Sequence, residues 1–217
     1  MKTPIVPAEF PVRQWPPEEV VSFRKTREEW GGLSNMASGF PITLGTSRFR
    51  TSEALYQAMR FPSRPDVQQL IADQASPMAA KMKSKEFRRD HSHPTWDEVR
   101  VSVMFWCLQL KLAQNWQLFG QLLRSTGIRS IVEESHRDRF WGAVQRDGLL
   151  AGSNVLGCLL TILRDGTDLE GQPPVAISPP SVGLRLLDLP ILIWTPDSQT
   201  EPEPDVGVKE QLSLGWE

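Results

Sequence analysis

The stretch Arg137-Asp138-Arg139-Phe140-Trp141-Gly142 runs from charge into an aromatic pair and a glycine, and Gly152-Ser153-Asn154-Val155-Leu156-Gly157 follows a few residues on. Residues in this order make a ligand-facing loop rather than a piece of core. Trp141 offers a flat stacking surface, Gly142 leaves room for a ligand to approach the backbone, and Asp138 sets a charge beside them. The combination suits a nucleotide or a sugar. Asn154 reads in two ways: as a plain helix cap, or as the start of a helix whose N-terminus binds pyrophosphate without an added basic residue.

Such a loop needs elements to hold it. Residues 1–18 form a Pro-punctuated arm, and ordered structure is expected from the short strand Val20-Val21-Ser22-Phe23. Trp30-Gly31-Gly32-Leu33-Ser34-Asn35 reads as a loop, and Phe40 to Leu44 with Ser47 to Arg50 as a hairpin turning at Gly45. Thr51 or Ser52 caps a helix through Met59 that stops before Pro62. Ser76-Pro77 starts another, with Pro at the first helical position. Thr95-Trp96-Asp97-Glu98 is a capping box opening a long helix whose Val99, Val103, Trp106, Leu110 and Ala113 recur at three- and four-residue spacing. Asn115 is expected to cap a further helix to Gly127, and Asn154 to open the last. These apolar stripes read as core.

The composition allows one domain with an appendage: 217 residues, 40% of them hydrophobic. A net charge of -2 and a pI near 6.0 argue against binding nucleic acid through charge alone. Lys81, Lys83, Lys85, Arg88 and Arg89 crowd one helix, either as a solvated face or as a phosphate contact. Cys107 and Cys158 read as buried thiols of a reducing compartment, and His91, His93 and His136 make no metal motif, so no metal is expected. No secretory leader and no span of ~20 apolar residues is recognised, which gives a soluble, cytoplasmic protein with no membrane partner. Residues 167–217 are a Pro-rich extension. Within it Glu201 to Asp205 is an acidic tail, and the apolar segment 184–194 either wraps back over the core or binds a partner.

Several of these motifs recur together in one known family. Phe23-Arg24-Lys25, Trp30 to Asn35, Thr51-Ser52-Glu53-Ala54-Leu55-Tyr56-Gln57-Ala58, Trp96-Asp97-Glu98-Val99-Arg100 with Met104, Asp138 to Gly142, and Asn154-Val155-Leu156-Gly157 resemble the NADAR family of YbiA-like proteins, in order, across roughly residues 20–165. The resemblance implies a small, mainly helical α+β domain over 19–166 that binds ADP-ribose-like ligands and cleaves N-glycosidic bonds without a cofactor. It implies one of two substrates. One branch cleaves riboflavin-pathway intermediates. The other removes ADP-ribose from guanine in nucleic acid, as the antitoxin partner of a DarT-type ADP-ribosyltransferase. Ala143 to Ala151, following Trp141-Gly142, is closer to the guanine-directed form. A third possibility is a non-catalytic ADP-ribose-binding module.

The resemblance also assigns roles. Breaking an N-glycosidic bond passes through an oxocarbenium-like state, which calls for negative charge near the anomeric carbon and a proton for the leaving amine. Glu53 is the leading catalytic candidate; in the first turn of its helix it is suited to act as a base or charge stabiliser. Lys25, ending a strand, is either a Schiff-base nucleophile towards a ring-opened ribose or a phosphate or ribose contact. Asp138 is expected to bind ribose hydroxyls, assist proton transfer or pair with Arg137 and Arg139. Asn35, Tyr56, Phe140, Trp141, Gly142 and Asn154 are the expected substrate-binding residues, Phe140 being equally suited to the core.

Overall fold

Short strands and longer helices alternate through residues 6–199, the part of the chain that the computed structural model describes. In chain order they are β1 (Arg13–Trp15), β2 (Val21–Phe23), β3 (Ile42–Leu44), β4 (Ser47–Phe49), α1 (Ser52–Met59), α2 (Pro65–Ala72), α3 (Pro77–His91), α4 (Trp96–Gln114), α5 (Gln121–Ser125), β5 (Ile131–Glu133), β6 (Val144–Arg146), β7 (Leu149–Gly152), α6 (Val155–Gly166), β8 (Arg185–Leu186) and β9 (Leu189–Pro190). This is the mainly helical α+β class expected from the sequence. No helix among the described residues is long and apolar enough to cross a membrane.

Helix α4 forms the centre. Val103, Cys107, Leu108, Leu110 and Leu112 are fully buried along it, and α1 and α6 pack on either side. Helix α1 is buried along its whole length, so its polar side chains point into the protein. Thr51 starts it as anticipated: Thr51 Oγ1 accepts from the Ala54 N–H at 3.2 Å. Ser76 does the same for α3 through the Ala79 N–H at 3.1 Å.

Two expected caps take other forms. Thr95 Oγ1 turns to His93 Nδ1, and the first turn of α4 is closed by backbone alone, Glu98 N–H to Thr95 O at 3.0 Å. Asn115 donates to Pro41 O and to Lys111 O, both at 3.0 Å, tying the end of α4 to β3; the segment after it, Trp116–Gly120, is a π-turn leading into α5. Pro65–Ala72 is a helix that the sequence reading did not name. Pro65 occupies its first turn, where no N–H is needed.

The strands make small units. β2 and β5 pair in parallel with Phe23 opposite Glu133, while β3 and β4 form the expected hairpin around Gly45 (φ 55°). β6 and β7 form a second hairpin, turning on Asp147 (φ 51°) and Gly148 (φ 80°), the left-handed pair of a type I′ turn. Order begins earlier than Val20: Arg13–Trp15 pairs antiparallel with β7, because Trp15 has the small cluster of Val20, Val132, Ala143 and Leu150 to cover.

The apolar segment of the extension wraps back over the core. Leu184, Leu186 and Trp194 are buried, and the amide of Gln68 holds the segment on both sides, donating to Arg185 O at 2.7 Å and accepting from the Leu187 N–H at 2.8 Å. Leu189, Leu192 and Ile193 stay exposed. The acidic stretch 201–205 lies outside the described residues.

Candidate active site

Three helices each send side chains into one cavity of about 380 Å³. Glu53, Tyr56 and Gln57 come from α1 and Arg60 from its C-cap, Lys81 and Arg88 from α3, and Trp96, Arg100 and Met104 from α4. Spacings of three, four and seven or eight residues place each set on one helix face. The fourth wall is the end of β5 and the loop after it, with Glu133 from the strand and Ser135, Asp138, Phe140 and Trp141 from the loop.

Glu53 is the most constrained group in the cavity. It is 3% exposed, and each oxygen has its own amide donor: Asn35 Nδ2 to Oε2, and Gln57 Nε2 to Oε1 at 2.8 Å. Gln57 cannot turn round, because its own Oε1 accepts from Ser84 Oγ and from Arg88 Nη2 at 3.0 Å. Lys81 Nζ lies 3.9 Å from Glu53 Oε1. Glu53 is thus held as an acceptor at the floor, the arrangement expected of a base or a charge-stabilising carboxylate.

A group of cations lines the same cavity. The Arg60 guanidinium covers the Trp96 ring at 4.9 Å, and that of Arg100 covers Phe140 at 4.0 Å. Burial, then a nearby Arg88, lowers the Arg60 guanidinium from its ordinary value, and Arg60 Nε is buried with no acceptor among the described residues. A buried, unpaired donor crowded by a like charge is relieved by an anion.

Aromatic rings close the remaining side. Tyr56 packs against the edge of Trp141 at 5.7 Å and against Trp96 at 5.1 Å, and Phe140 meets Trp141 edge-on at 5.2 Å. Burial, with Glu53 next, pushes the Tyr56 phenol well up, so it serves as a neutral hydrogen-bonding group. Asp138 shapes the loop: its Oδ1 accepts from the N–H groups of Phe140 and Trp141, both at 2.9 Å, and no ion pair joins it to Arg137 or Arg139 among the described residues.

The structure therefore brings together Glu53, Asn35, Tyr56, Asp138, Phe140 and Trp141, and places three other expected residues elsewhere. Lys25 is exposed and off the cavity wall; its backbone closes a tight turn with Glu28, and the amine in the cavity is that of Lys81. Asn154 is buried away from the cavity in the left-handed conformation (φ 49°), where its side chain cannot cap α6. Instead it donates to Ile131 O at 2.8 Å and accepts from the Glu133 N–H at 2.9 Å, stitching β5 to the start of α6. Gly142 meets protein rather than ligand: a Cβ there would lie 2.6 Å from Glu133 O. Nor does Ala143 to Ala151, the stretch expected to set the substrate, line the cavity; it forms the β6–β7 hairpin behind the loop.

Sequence reasoning missed Arg60, Arg100 and Glu133, and saw Lys81 and Arg88 only as part of a basic run. For Arg60 and Arg100 the signal was present as a charged side chain at helical spacing from other residues of the cavity: Arg60 at the end of α1 in line with Glu53 and Gln57, and Arg100 on α4 one turn from Trp96 and Met104. The basic run divides accordingly. Lys81 and Arg88 face the cavity, while Lys83 pairs with Glu86 and Arg89 with Asp90 outside it.

A mainly helical domain thus gathers carboxyls, guanidinia and aromatic rings in one cavity. The NADAR domain model matches residues 22–167, and the chain belongs to that family. Among its relatives is an N-glycosidase of Nostoc punctiforme, 30% identical over 67% of this chain and 90% of that protein. A riboflavin biosynthesis protein of Vibrio vulnificus is 32% identical over 72% of this chain; the match spans only 40% of that protein's length. The solution structure of the E. coli protein YbiA superimposes with a TM-score of 0.60 at 30% identity, covering 70% of this chain and 86% of YbiA.

Proposed function

We propose that the protein is an N-glycosidase of phosphorylated N-ribosyl compounds, and that ADP-ribose joined to the amino group of guanine in nucleic acid is the substrate its cavity fits best. The observation that carries this reading is the gathering of the Glu53 carboxylate with four cations, Arg60, Lys81, Arg88 and Arg100, in one cavity. So many cations suit a diphosphate better than a single phosphate. A substrate with its diphosphate on the guanidinia lays its ribose towards Glu53, and Trp141 with Phe140 covers the sugar or base.

The chemistry follows from the groups. As the C1′–N bond lengthens, positive charge grows on the ribose, and Glu53 opposes it while accepting a proton from the attacking water. The amine within reach of a ring-opened ribose aldehyde is Lys81, not Lys25. Borohydride under turnover traps an adduct on Lys81 in the imine route and none in direct hydrolysis. The partner such an enzyme implies is an ADP-ribosyltransferase that makes the adduct.

The name of the Vibrio relative favours a second reading, cleavage of a riboflavin-pathway intermediate. The two separate in one assay: the protein is incubated with ADP-ribosylated guanine DNA and with a ribosylamino-pyrimidine phosphate, and free ADP-ribose or free ribose phosphate is measured. Release from the DNA adduct at the higher kcat/KM supports the first reading. Release only from the pyrimidine replaces it with the second, and ligand binding without release from either leaves a binding module.

A further inference from the structure

Cleavage of a C1′–N bond has two proton requirements, and Glu53 meets only one. Water adds its oxygen to C1′ and gives a proton to Glu53, while the bonding pair leaves with the nitrogen, which must gain a proton from another group to depart as a neutral amine. Asp138 has Oδ1 committed to two backbone N–H groups, and burial raises the Tyr56 phenol well above its ordinary value, which makes it the poorer proton donor. Lys81 is paired with Glu53, the base, Nζ to Oε1 at 3.9 Å.

Glu133 is differently placed. It ends β5 on the wall made by the loop, and its carboxyl has no hydrogen bond or ion pair among the described residues. Its backbone, by contrast, is clamped at both ends. The N–H donates to Asn154 Oδ1 at 2.9 Å, the carbonyl accepts from the Ala143 N–H at 2.8 Å, and the missing side chain of Gly142 is what permits that approach. A rigidly mounted but unpaired carboxyl in a reaction cavity is unusual for a structural residue, since half-buried carboxylates are ordinarily paired.

We propose that Glu133 is the catalytic residue that hands the leaving nitrogen its proton, a proposal that rests on the N-glycosidase reading. Burial, then repulsion from Glu53 on α1 and Asp138 in the loop, pushes its carboxyl up to about 7, against a smaller opposing pull from Lys81 on α3. From the end of β2, Arg24 is turned to Glu134 and His136 instead, and α6 contributes only Leu156 to the cavity. Two carboxyls in one cavity, one an acceptor and one protonated near neutrality, are the division that acid–base cleavage uses. After each turnover the proton taken by Glu53 returns to Glu133 through solvent, so the cycle balances.

The test is kcat/KM against pH for the wild-type protein, Glu133→Gln and Glu133→Asp, on ADP-ribosylated guanine and on the ribosylamino-pyrimidine phosphate. ADP-ribose affinity and melting temperature are measured alongside to register folding. The expected wild-type rate falls as pH rises through about 7. Glu133→Gln, neutral at every pH and of the same shape, is expected to lose roughly 10²- to 10⁴-fold and the alkaline fall with it. Glu133→Asp is expected to recover part of the rate and the fall. A Glu133→Gln protein within tenfold of wild type, or one that keeps the alkaline fall, overturns the role of Glu133 and leaves the N-glycosidase reading standing. A wild-type protein that binds ADP-ribose but releases it from neither substrate overturns both.

Discussion

Asn35 and Glu53 meet twice: the Asn35 carbonyl accepts the Glu53 N–H at 2.9 Å, and Asn35 Nδ2 donates to Glu53 Oε2. The first contact helps start α1 and the second aims its carboxylate, so one residue sets both the helix and the reactive group. Asn35→Ala removes only the second. The backbone contact and the Thr51 cap remain, and the melting temperature is expected to change little. Loss of a hydrogen bond to a charged group is expected to lower kcat roughly 10- to 100-fold. Parallel thermal unfolding and steady-state kinetics check this, and a kcat near wild type means that Gln57 suffices to hold Glu53.

Lys111 supports that contact from below. Its ammonium is fully buried, donates to Gly32 O at 2.7 Å and Ser34 O at 2.9 Å, and lies 4.1 Å from the Phe119 ring centre and 4.7 Å from that of Phe40. Burial pushes its amine well below the ordinary lysine value. Lys111→Met leaves two buried carbonyls without a donor, a loss only partly offset by removing the buried amine. The expected net destabilisation is about 2 kcal/mol, read as a fall of several degrees in melting temperature. An unchanged midpoint means that the turn before Asn35 stands without the lysine.

The value of sequence grammar here depended on whether local chemistry or tertiary geometry set a residue's role. Thr51 and Ser76 cap the helices that they precede, since a hydroxyl before an apolar run has little else to do. The Asp138 to Trp141 loop was legible for the same reason. Asn154 was not: side-chain capping assumes an extended residue, and at φ 49° its amide points to β5 instead. Lys25 falls two residues beyond β2 instead of ending it, and which end of a strand opens on a cavity is fixed by what packs around it. Glu133 precedes Glu134 and reads like half of a solvated pair. Only the fold turns Glu134 out to Arg24 and Glu133 in.

Gly142 allows a sharper comparison. A Cβ there would sit 2.6 Å from Glu133 O, a backbone atom with no room to yield, whereas Gly148 faces open space and is constrained only by its φ of 80°. Both Gly142→Ala and Gly148→Ala are expected to destabilise, each by roughly 1–3 kcal/mol. Only Gly142→Ala displaces Glu133 and is therefore expected to lower kcat beyond what its loss of stability explains. Equal activity in the two variants means that Gly142 has no bearing on the site.

Glu133 also sets a pH dependence of stability. Its carboxyl titrates at about 7 in the folded chain against 4.5 in the reference state, so the folded protein binds the extra proton between those values. Stability is therefore expected to be highest below about 4.5 with respect to this group, to fall as pH rises towards 7, and to level off above. The slope from one proton reaches roughly 1.4 kcal/mol per pH unit. Denaturant unfolding of wild type and Glu133→Gln from pH 5 to 8 isolates the contribution as the difference between the two curves. Parallel curves mean that Glu133 is not protonated near neutrality.

The central claim is that the Glu53 carboxylate drives cleavage of an N-ribosyl bond. Its most direct test is single-turnover release of free ADP-ribose from ADP-ribosylated guanine DNA by the wild-type protein and by Glu53→Gln, with ADP-ribose binding measured on both. Release by the wild type, slowed at least ~10²-fold in Glu53→Gln while binding is retained, is the predicted result. Equal release by the two proteins would contradict it.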